Sequence, residues 1–173
     1  LAAMRVLEKD PEACMLVLPA DHVIANKAAF HSALHTAEKL SQDNWLVTFG
    51  IVPGGPETGY GYIRRGTELN GEAGFEVAEF VEKPDLATAR SYLDGGKYFW
   101  NSGMFLFRAQ QYLDELQAHA EDIFLSCEKA YQNIEIDQDF SRIPAAEFAA
   151  CRSDSIDYAV MEKTARAAMI PLD

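Results

Sequence analysis

The chain has 173 residues, of which 49% are hydrophobic and 24% charged, a balance typical of a globular protein rather than a disordered one. Acidic residues outnumber basic ones by 27 to 15, and the net charge of −12 would repel a phosphate backbone. No apolar run approaches the ~20 residues needed to cross a bilayer. Composition therefore argues against nucleic-acid binding and membrane insertion, and it predicts a cytoplasmic protein.

The three cysteines are Cys14, Cys127 and Cys151. Their number is odd and their spacing is too wide for a CxxC metal or redox motif. We interpret them as reduced thiols that fill the core in a reducing compartment.

The first part of the chain has the strand, loop, helix order of an α/β fold. Residues 2–7 resemble the end of a helix without a capping residue, which predicts that the helix begins upstream of residue 1. The apolar run 14–18, closed by Pro19, predicts a strand buried on both faces of a parallel sheet. Asn26 then caps a helix predicted over 27–40, because apolar residues recur there at helical spacing.

Later segments continue the alternation and become more antiparallel in character. Strands are predicted over 45–51 and, half exposed, over 75–81. Asp85 caps a helix that ends at Gly95 and Gly96, where a left-handed backbone costs little.

The remaining pattern is interpreted as part of the same single domain, of which residues 1–173 are the central part. A buried strand is predicted near 104–107 and a helical stretch from Gln110 to Tyr131. Short helices near 145–150 and 156–163 and a strand near 168–172 follow. The predicted fold class is α/β, with a mixed, mainly parallel sheet flanked by helices.

Asp21 follows a predicted strand at its carboxyl end, where open α/β sheets bind ligands. A carboxylate in that place can hold Mg²⁺ between phosphates. An aspartate after a strand is at least as often a helix cap or turn former, so both interpretations stay open.

Three other segments combine backbone freedom with polar groups. Gly61 lies between aromatic residues and would let a ligand approach the backbone, or it marks a β-bulge. Glu82 and Lys83 end a strand and could meet a sugar hydroxyl and a phosphate, or form a solvated ion pair. Asn101 precedes a buried strand, and its amide could bind a hydroxyl or its own backbone.

His31 and His35 have the i,i+4 spacing of a zinc pair on the first long helix. No further ligand follows at a zinc-protease spacing. We therefore interpret them as part of a solvated helix face.

Five motifs, taken in this order, closely resemble the bacterial mannose-1-phosphate guanylyltransferase family. They are LPADH (18–22), ETGYGYI (57–63), FVEKP (80–84), WNSGMF (100–105) and SIDYAVMEK (155–163). The resemblance covers essentially the whole chain. It implies a nucleotide-diphospho-sugar transferase (Rossmann-like) fold, and the long form of the family often carries a C-terminal phosphomannose isomerase domain.

The family joins GTP and mannose 1-phosphate into GDP-mannose and pyrophosphate, and this supplies surface polysaccharide synthesis. The sugar phosphate attacks the α-phosphorus in line, so catalysis needs positioning and charge neutralisation by Mg²⁺ and cationic side chains. The expected partners are GTP, mannose 1-phosphate and GDP-mannose, and the sequence is compatible with a homo-oligomer.

The resemblance also implies residue roles. Asp21 resembles the metal-binding catalytic aspartate, and Lys83 the catalytic lysine near the phosphates. Gly61, Glu82 and Asn101 resemble the sugar-binding residues. The segment 157–163 matches the family without an assigned role beyond the rim of the sugar pocket.

The family's glycine-rich nucleotide loop and a second metal-binding aspartate are expected before residue 1 and after the strand ending at Leu172. We therefore expect the parent to be an enzyme, and residues 1–173 alone to be a central fragment with little activity. The alternatives are a related transferase that joins UTP or dTTP to glucose 1-phosphate, and a non-catalytic sugar-nucleotide sensor.

Overall fold

The structure, a computed structural model, describes residues 1–69, 71 and 73–172. Its contacts divide the chain into two units. The sheet unit comprises Cys14–Arg108 and Ala165–Asp173, and the helical unit comprises Leu1–Ala13 and Ala109–Thr164. All five residues with an implied catalytic or binding role lie in the sheet unit. That residues 1–173 are the central part of a single domain stays a prediction.

Each unit consists of helices and strands, which are numbered along the chain. The sheet unit contains β1 (Cys14–Val17), α2 (Lys27–Gln42), β2 (Leu46–Ile51), β3 (Gly61–Glu68), β4 (Phe75–Glu82), α3 (Leu86–Gly95), β5 (Tyr98–Arg108) and β8 (Ala167–Leu172). The helical unit contains α1 (Ala2–Leu7), α4 (Ala109–His119), α5 (Glu121–Gln132), β6 (Glu135–Asp137), β7 (Phe140–Arg142), α6 (Ala145–Ala149) and a π-helix (Asp157–Met161).

The strands of the sheet unit form one mixed sheet in the order β1-β5-β2-β8-β4-β3, and β3 also pairs with β5. This confirms the α/β class with a mixed sheet and flanking helices. The expectation of mainly parallel pairing needs correction: among the described residues only β2 and β8 pair in parallel. The reason is that β5 runs back between β1 and β2, and β4 runs back beside β8.

Strand β1 differs from the prediction because it lies at the edge of the sheet. It pairs with β5 on one side, and Leu16 and Val17 are 41% and 36% exposed. Cys14 is also exposed, so the interpretation of all three cysteines as core residues is wrong for Cys14 and correct for buried Cys127. An apolar run predicts a buried strand, but it does not report how many neighbours that strand has.

The core of the sheet unit forms where α2 packs on the sheet. Strand β2 is buried over nearly its whole length. Ala33, Ala37 and Leu40 of α2 pack in one cluster with Val47 and Phe49 of β2. The helical stripe predicted for this segment is therefore confirmed. So is its cap, because the Asn26 side chain accepts a hydrogen bond from the Ala29 N–H at 3.1 Å.

Helix α3 has the two ends that the sequence predicts. The Asp85 Oδ1 atom accepts a hydrogen bond from the Thr88 N–H at 2.7 Å, and this backbone bond lowers the pKa of Asp85. At the other end, Gly96 adopts a left-handed backbone with φ of 61°, which glycine adopts without a Cβ penalty.

In the helical unit, the helical pattern predicted over 110–131 is confirmed. It forms two helices, α4 and α5, which are separated at Ala120. In the same unit Arg152 donates to Asp122 and Asp154, and the guanidinium lowers the pKa of Asp122.

None of the helices in the described ranges is long and apolar enough to cross a membrane.

Candidate active site

The structure brings Gly61, Glu82 and Asn101 together, and we call these three residues the Gly61 cluster. Gly61 pairs with Glu82 across β3 and β4. A Cβ atom built on Gly61 would lie 2.5 Å from Glu82 Oε2 and 3.4 Å from Asn101 Cβ. Residues separated by up to 40 positions thus meet on one face. No register shift occurs at Gly61, so the bulge interpretation is wrong there.

The Glu82 carboxylate is mostly buried, and Lys83 leaves the strand beside it. The Glu82 side chain is 19% exposed, whereas that of Lys83 is 65% exposed. The Lys83 backbone has φ of 47°, and its N–H donates to the Tyr60 carbonyl at 3.2 Å. Lys83 Nζ lies 3.6 Å from Glu82 Oε1. The ion pair considered from the sequence is therefore present, and the exposed ammonium can still reach an incoming anion.

Two internal donors hold the side chain of Asn101. Its Oδ1 atom lies 3.2 Å from the Thr48 hydroxyl and accepts from the Gly103 N–H at 3.3 Å. Gly103 has φ of 68°, a left-handed conformation that lies just after Asn101, where the register between β2 and β5 shifts. The interpretation that the Asn101 amide binds its own backbone is thus confirmed, although the residue lies within β5.

Two aromatic rings flank the Gly61 cluster, and the sequence did not assign them a role. The Tyr60 ring meets the Trp100 ring edge to face, with centroids 5.2 Å apart. Trp100 Nε1 is shielded from solvent and has no hydrogen-bond partner among the described residues. The Tyr62 hydroxyl donates to the Glu57 carbonyl at 2.8 Å and anchors the loop before β3. The sequence feature that could have indicated these aromatic residues is the alternation of glycine and tyrosine over 59–62.

A polar network beyond this group fixes the pairing of β3, β4 and β5. Glu79 Oε2 accepts from Arg64 Nε at 2.9 Å and from the Tyr98 hydroxyl at 2.8 Å. The Arg64 guanidinium lowers the pKa of Glu79, whereas burial and the Glu79 carboxylate raise the pKa of Tyr98 to about 12. These bonds tie together the three strands that carry the Gly61 cluster.

Asp21 lies on the wall of an open pocket of about 550 Å³. The pocket is lined mainly by apolar side chains, including Phe30, Ile51, Met104 and Leu172. Ile51 and Leu172 end the parallel strands β2 and β8. The pocket therefore lies at the carboxyl end of those strands, where the sequence placed a ligand site.

The loop that carries Asp21 packs against the turn after Asn101. A Cβ atom built on Gly103 would lie 3.7 Å from Pro19 Cγ, which is two residues before Asp21. The loop of Asp21 and the turn of Asn101 are therefore neighbours.

Asp21 is the exposed carboxylate of this pocket. No three His, Cys, Asp or Glu side chains in the described ranges are grouped as a metal site would require. One carboxylate still suits Mg²⁺, which is often held by one or two carboxylates plus substrate phosphates and waters. The second aspartate expected after Leu172 lies outside the described residues.

The two histidines of α2 are both exposed. His35 Nδ1 lies 3.9 Å from Glu38 Oε2 on the same face. The prediction of a solvated helix face is therefore confirmed.

Comparison with known proteins decides the family. Residues 1–145 match the sequence profile of the family described as Nucleotidyl transferase. The chain belongs to this family. A solved structure has the same fold as this chain, an α/β sheet with flanking helices. A structure from Helicobacter pylori, described as mannose-6-phosphate isomerase, is 34% identical with a TM-score of 0.88. The match covers 99% of this chain and 67% of the Helicobacter pylori chain.

Two curated relatives match the full length of this nucleotidyl transferase chain. The mannose-1-phosphate guanylyltransferase of Escherichia coli (strain K12) is 52% identical over 178 residues. The xanthan biosynthesis protein XanB of Xanthomonas campestris pv. campestris (strain B100) is 51% identical over 173 residues. The chain spans 37% and 36% of their respective lengths.

Proposed function

We propose that this chain is part of a mannose-1-phosphate guanylyltransferase, an enzyme that makes GDP-mannose and pyrophosphate from GTP and mannose 1-phosphate. The observation that carries the proposal is the Gly61 cluster, which places a carboxylate and an amide beside a backbone without a side chain. The name of the E. coli relative supports the same activity. The name of the xanthan biosynthesis relative supports a role in supplying polysaccharide synthesis.

The Gly61 cluster has the chemistry of a sugar site. The mostly buried Glu82 carboxylate accepts hydrogen bonds from sugar hydroxyls, and charge-assisted bonds of this kind are about twice as strong as neutral ones. Asn101 supplies an amide to a neighbouring hydroxyl. The glycine at position 61 leaves room for the Glu82 carboxylate in this site, because any Cβ there would meet the carboxylate.

The phosphate chemistry needs positive charge in a protein whose net charge is −12. The exposed ammonium of Lys83 supplies one such charge next to the Gly61 cluster. Asp21 would hold a divalent cation, which we propose is Mg²⁺, and that ion would neutralise charge at the α-phosphate. Because the sugar phosphate is already an anionic nucleophile, the residues of this chain have to position it rather than deprotonate it.

Turnover of the intact protein tests this proposal. Pyrophosphate release would be measured with GTP and mannose 1-phosphate, and with UTP or dTTP and glucose 1-phosphate. We expect the highest kcat/KM with GTP and mannose 1-phosphate. A preference for glucose 1-phosphate with UTP or dTTP would indicate the related transferase, and binding of GDP-mannose without any turnover would indicate a sensor.

A further inference from the structure

Thr48 places a hydroxyl group inside an apolar strand. It lies in β2 between Val47 and Phe49, and all three side chains are completely buried. Burying a hydroxyl without a hydrogen bond is costly, and valine would fill nearly the same volume without that cost. Packing alone therefore does not account for threonine at this position. The hydrogen bonds of its hydroxyl group have to account for it.

The Thr48 hydroxyl lies between two oxygen atoms. Its Oγ1 atom is 3.2 Å from Asn101 Oδ1 and 3.2 Å from the Met104 carbonyl oxygen. The Gly103 N–H, which can only donate, points to the same Asn101 atom at 3.3 Å. That atom is therefore the amide oxygen and not the nitrogen. Both of these neighbours are acceptors, so the single hydrogen of the Thr48 hydroxyl is shared between them.

This arrangement sets the direction of the Asn101 amide. With the oxygen turned toward Thr48 and Gly103, the NH₂ group, which has two hydrogens, lies on the opposite side of the amide. Asn101 Cβ is 3.4 Å from the position that a Gly61 Cβ would take, and Glu82 Oε2 is 2.5 Å from that same position. The side chains of Asn101 and Glu82 thus both adjoin Gly61, and a sugar hydroxyl bound there can accept from the Asn101 amide while it donates to Glu82.

We propose that Thr48 is a positioning residue that holds Asn101 as a hydrogen-bond donor toward the sugar of the substrate. The inference rests on the proposed function, because it takes the Gly61 cluster as the sugar site. Without the Thr48 hydroxyl, the amide oxygen loses this donor and keeps the Gly103 N–H, so the amide turns its oxygen toward Glu82 more readily. Two acceptors would then face a hydroxyl that has one proton, and one of the two hydrogen bonds would be lost.

The test uses the intact protein with Thr48→Val, which removes the hydroxyl at nearly constant volume, and Thr48→Ser, which keeps it. For Thr48→Val we expect the KM for mannose 1-phosphate to rise about fivefold, the usual size for one lost hydrogen bond. The KM for GTP should stay unchanged, and Thr48→Ser should restore the sugar-phosphate KM. If Thr48→Val is insoluble, Thr48→Ala takes its place, since it also lacks the hydroxyl.

A double-mutant cycle with Asn101→Ala separates positioning from general stabilisation of the strand. If Thr48 acts through Asn101, the double variant should be no worse than Asn101→Ala alone. Equal losses in both backgrounds, or an unchanged sugar-phosphate KM in Thr48→Val, would overturn the inference. Absence of turnover with GTP and mannose 1-phosphate in the unsubstituted protein would instead refute the proposed function, and this inference with it.

Discussion

The carboxylate of Glu82 occupies the space in which any side chain at position 61 would have to begin. A Cβ atom on Gly61 would lie 2.5 Å from Glu82 Oε2, a distance that real Cβ atoms essentially never show. The two residues are direct partners in the β3 and β4 pairing. Glycine at 61 and the position of the Glu82 carboxylate therefore depend on each other.

Gly61→Ala should displace the Glu82 carboxylate while leaving the strands paired. The backbone at Gly61 has no left-handed φ, so the new methyl group acts through its clash with the carboxylate. We expect the KM for mannose 1-phosphate to rise at least about tenfold, because a charged hydrogen bond is lost. Steady-state kinetics of the intact variant would measure this.

The matched control is Gly95→Ala at the end of α3, where a Cβ would meet nothing within 4 Å. Its kinetics should equal those of the unsubstituted protein. An unchanged sugar-phosphate KM in Gly61→Ala would remove Glu82 from the proposed sugar site.

Asp21→Asn keeps the shape of the side chain and removes its charge. If Asp21 holds the divalent cation, the Mg²⁺ concentration for half-maximal turnover should rise by about tenfold or more, since even outer-shell substitutions cost about this much. Asp94→Asn, a change at another exposed aspartate, serves as the control. The same Mg²⁺ dependence in both variants would show that Asp21 is a turn former rather than a ligand.

Gly50 is a packing site at the centre of the sheet. Its Cβ would lie 2.8 Å from both Met169 Sδ and Phe99 Cβ. Gly50→Ala should therefore lower the free energy of unfolding by about 2 kcal/mol through overpacking. Thermal unfolding would measure this loss of stability. The control is Gly54→Ala, where the nearest atom to the new Cβ lies 3.9 Å away, and its free energy of unfolding should not change. Equal melting temperatures of the two variants would contradict the packing described for β2.

The Asp85 cap of α3 should make stability depend on pH in a defined direction. The Thr88 N–H holds the pKa of Asp85 below its usual value of 3.8. A carboxylate with a depressed pKa stabilises the folded state fully above its unfolded pKa, and this contribution is lost as the pH falls through the folded pKa. Asp85→Ala should therefore lower the melting temperature at pH 7, and the difference should shrink below about pH 3.8.

The control for this effect is Asp85→Asn, which keeps the capping oxygen without the titration. It should retain most of the stability at pH 7. The melting temperatures of Asp85→Ala and the unsubstituted protein would be compared from pH 7 to below about pH 3.8. A constant difference between them would mean that the carboxylate charge does not contribute to stability.

Local signals in the sequence predicted much of the fold. The apolar stripe and Asn26 cap of α2, the Asp85 and Gly96 ends of α3, and the buried strand β2 were all confirmed. Each depends on residues within a few positions of one another. The residues of the Gly61 cluster were singled out from the sequence because their motifs resemble those of a known family, and their roles stay predictions.

Long-range pairing could not be predicted in the same way. The edge position of β1 follows from β5 being its only described neighbour strand, and no residue of β1 encodes that fact. Strand β3 lacked a clear apolar alternation, and the β6 and β7 hairpin is exposed on both strands. The contact between Thr48 and Asn101 spans 53 positions, so only the folded chain shows it.

Calorimetric titration of the intact protein with GDP-mannose and Mg²⁺, repeated with UDP-glucose and with Asn101→Ala, tests the central claim most directly. The proposed sugar site predicts that GDP-mannose binds more tightly than UDP-glucose. It also predicts that Asn101→Ala weakens GDP-mannose binding about fivefold. Tighter binding of UDP-glucose, or GDP-mannose binding that Asn101→Ala leaves unchanged, would contradict it.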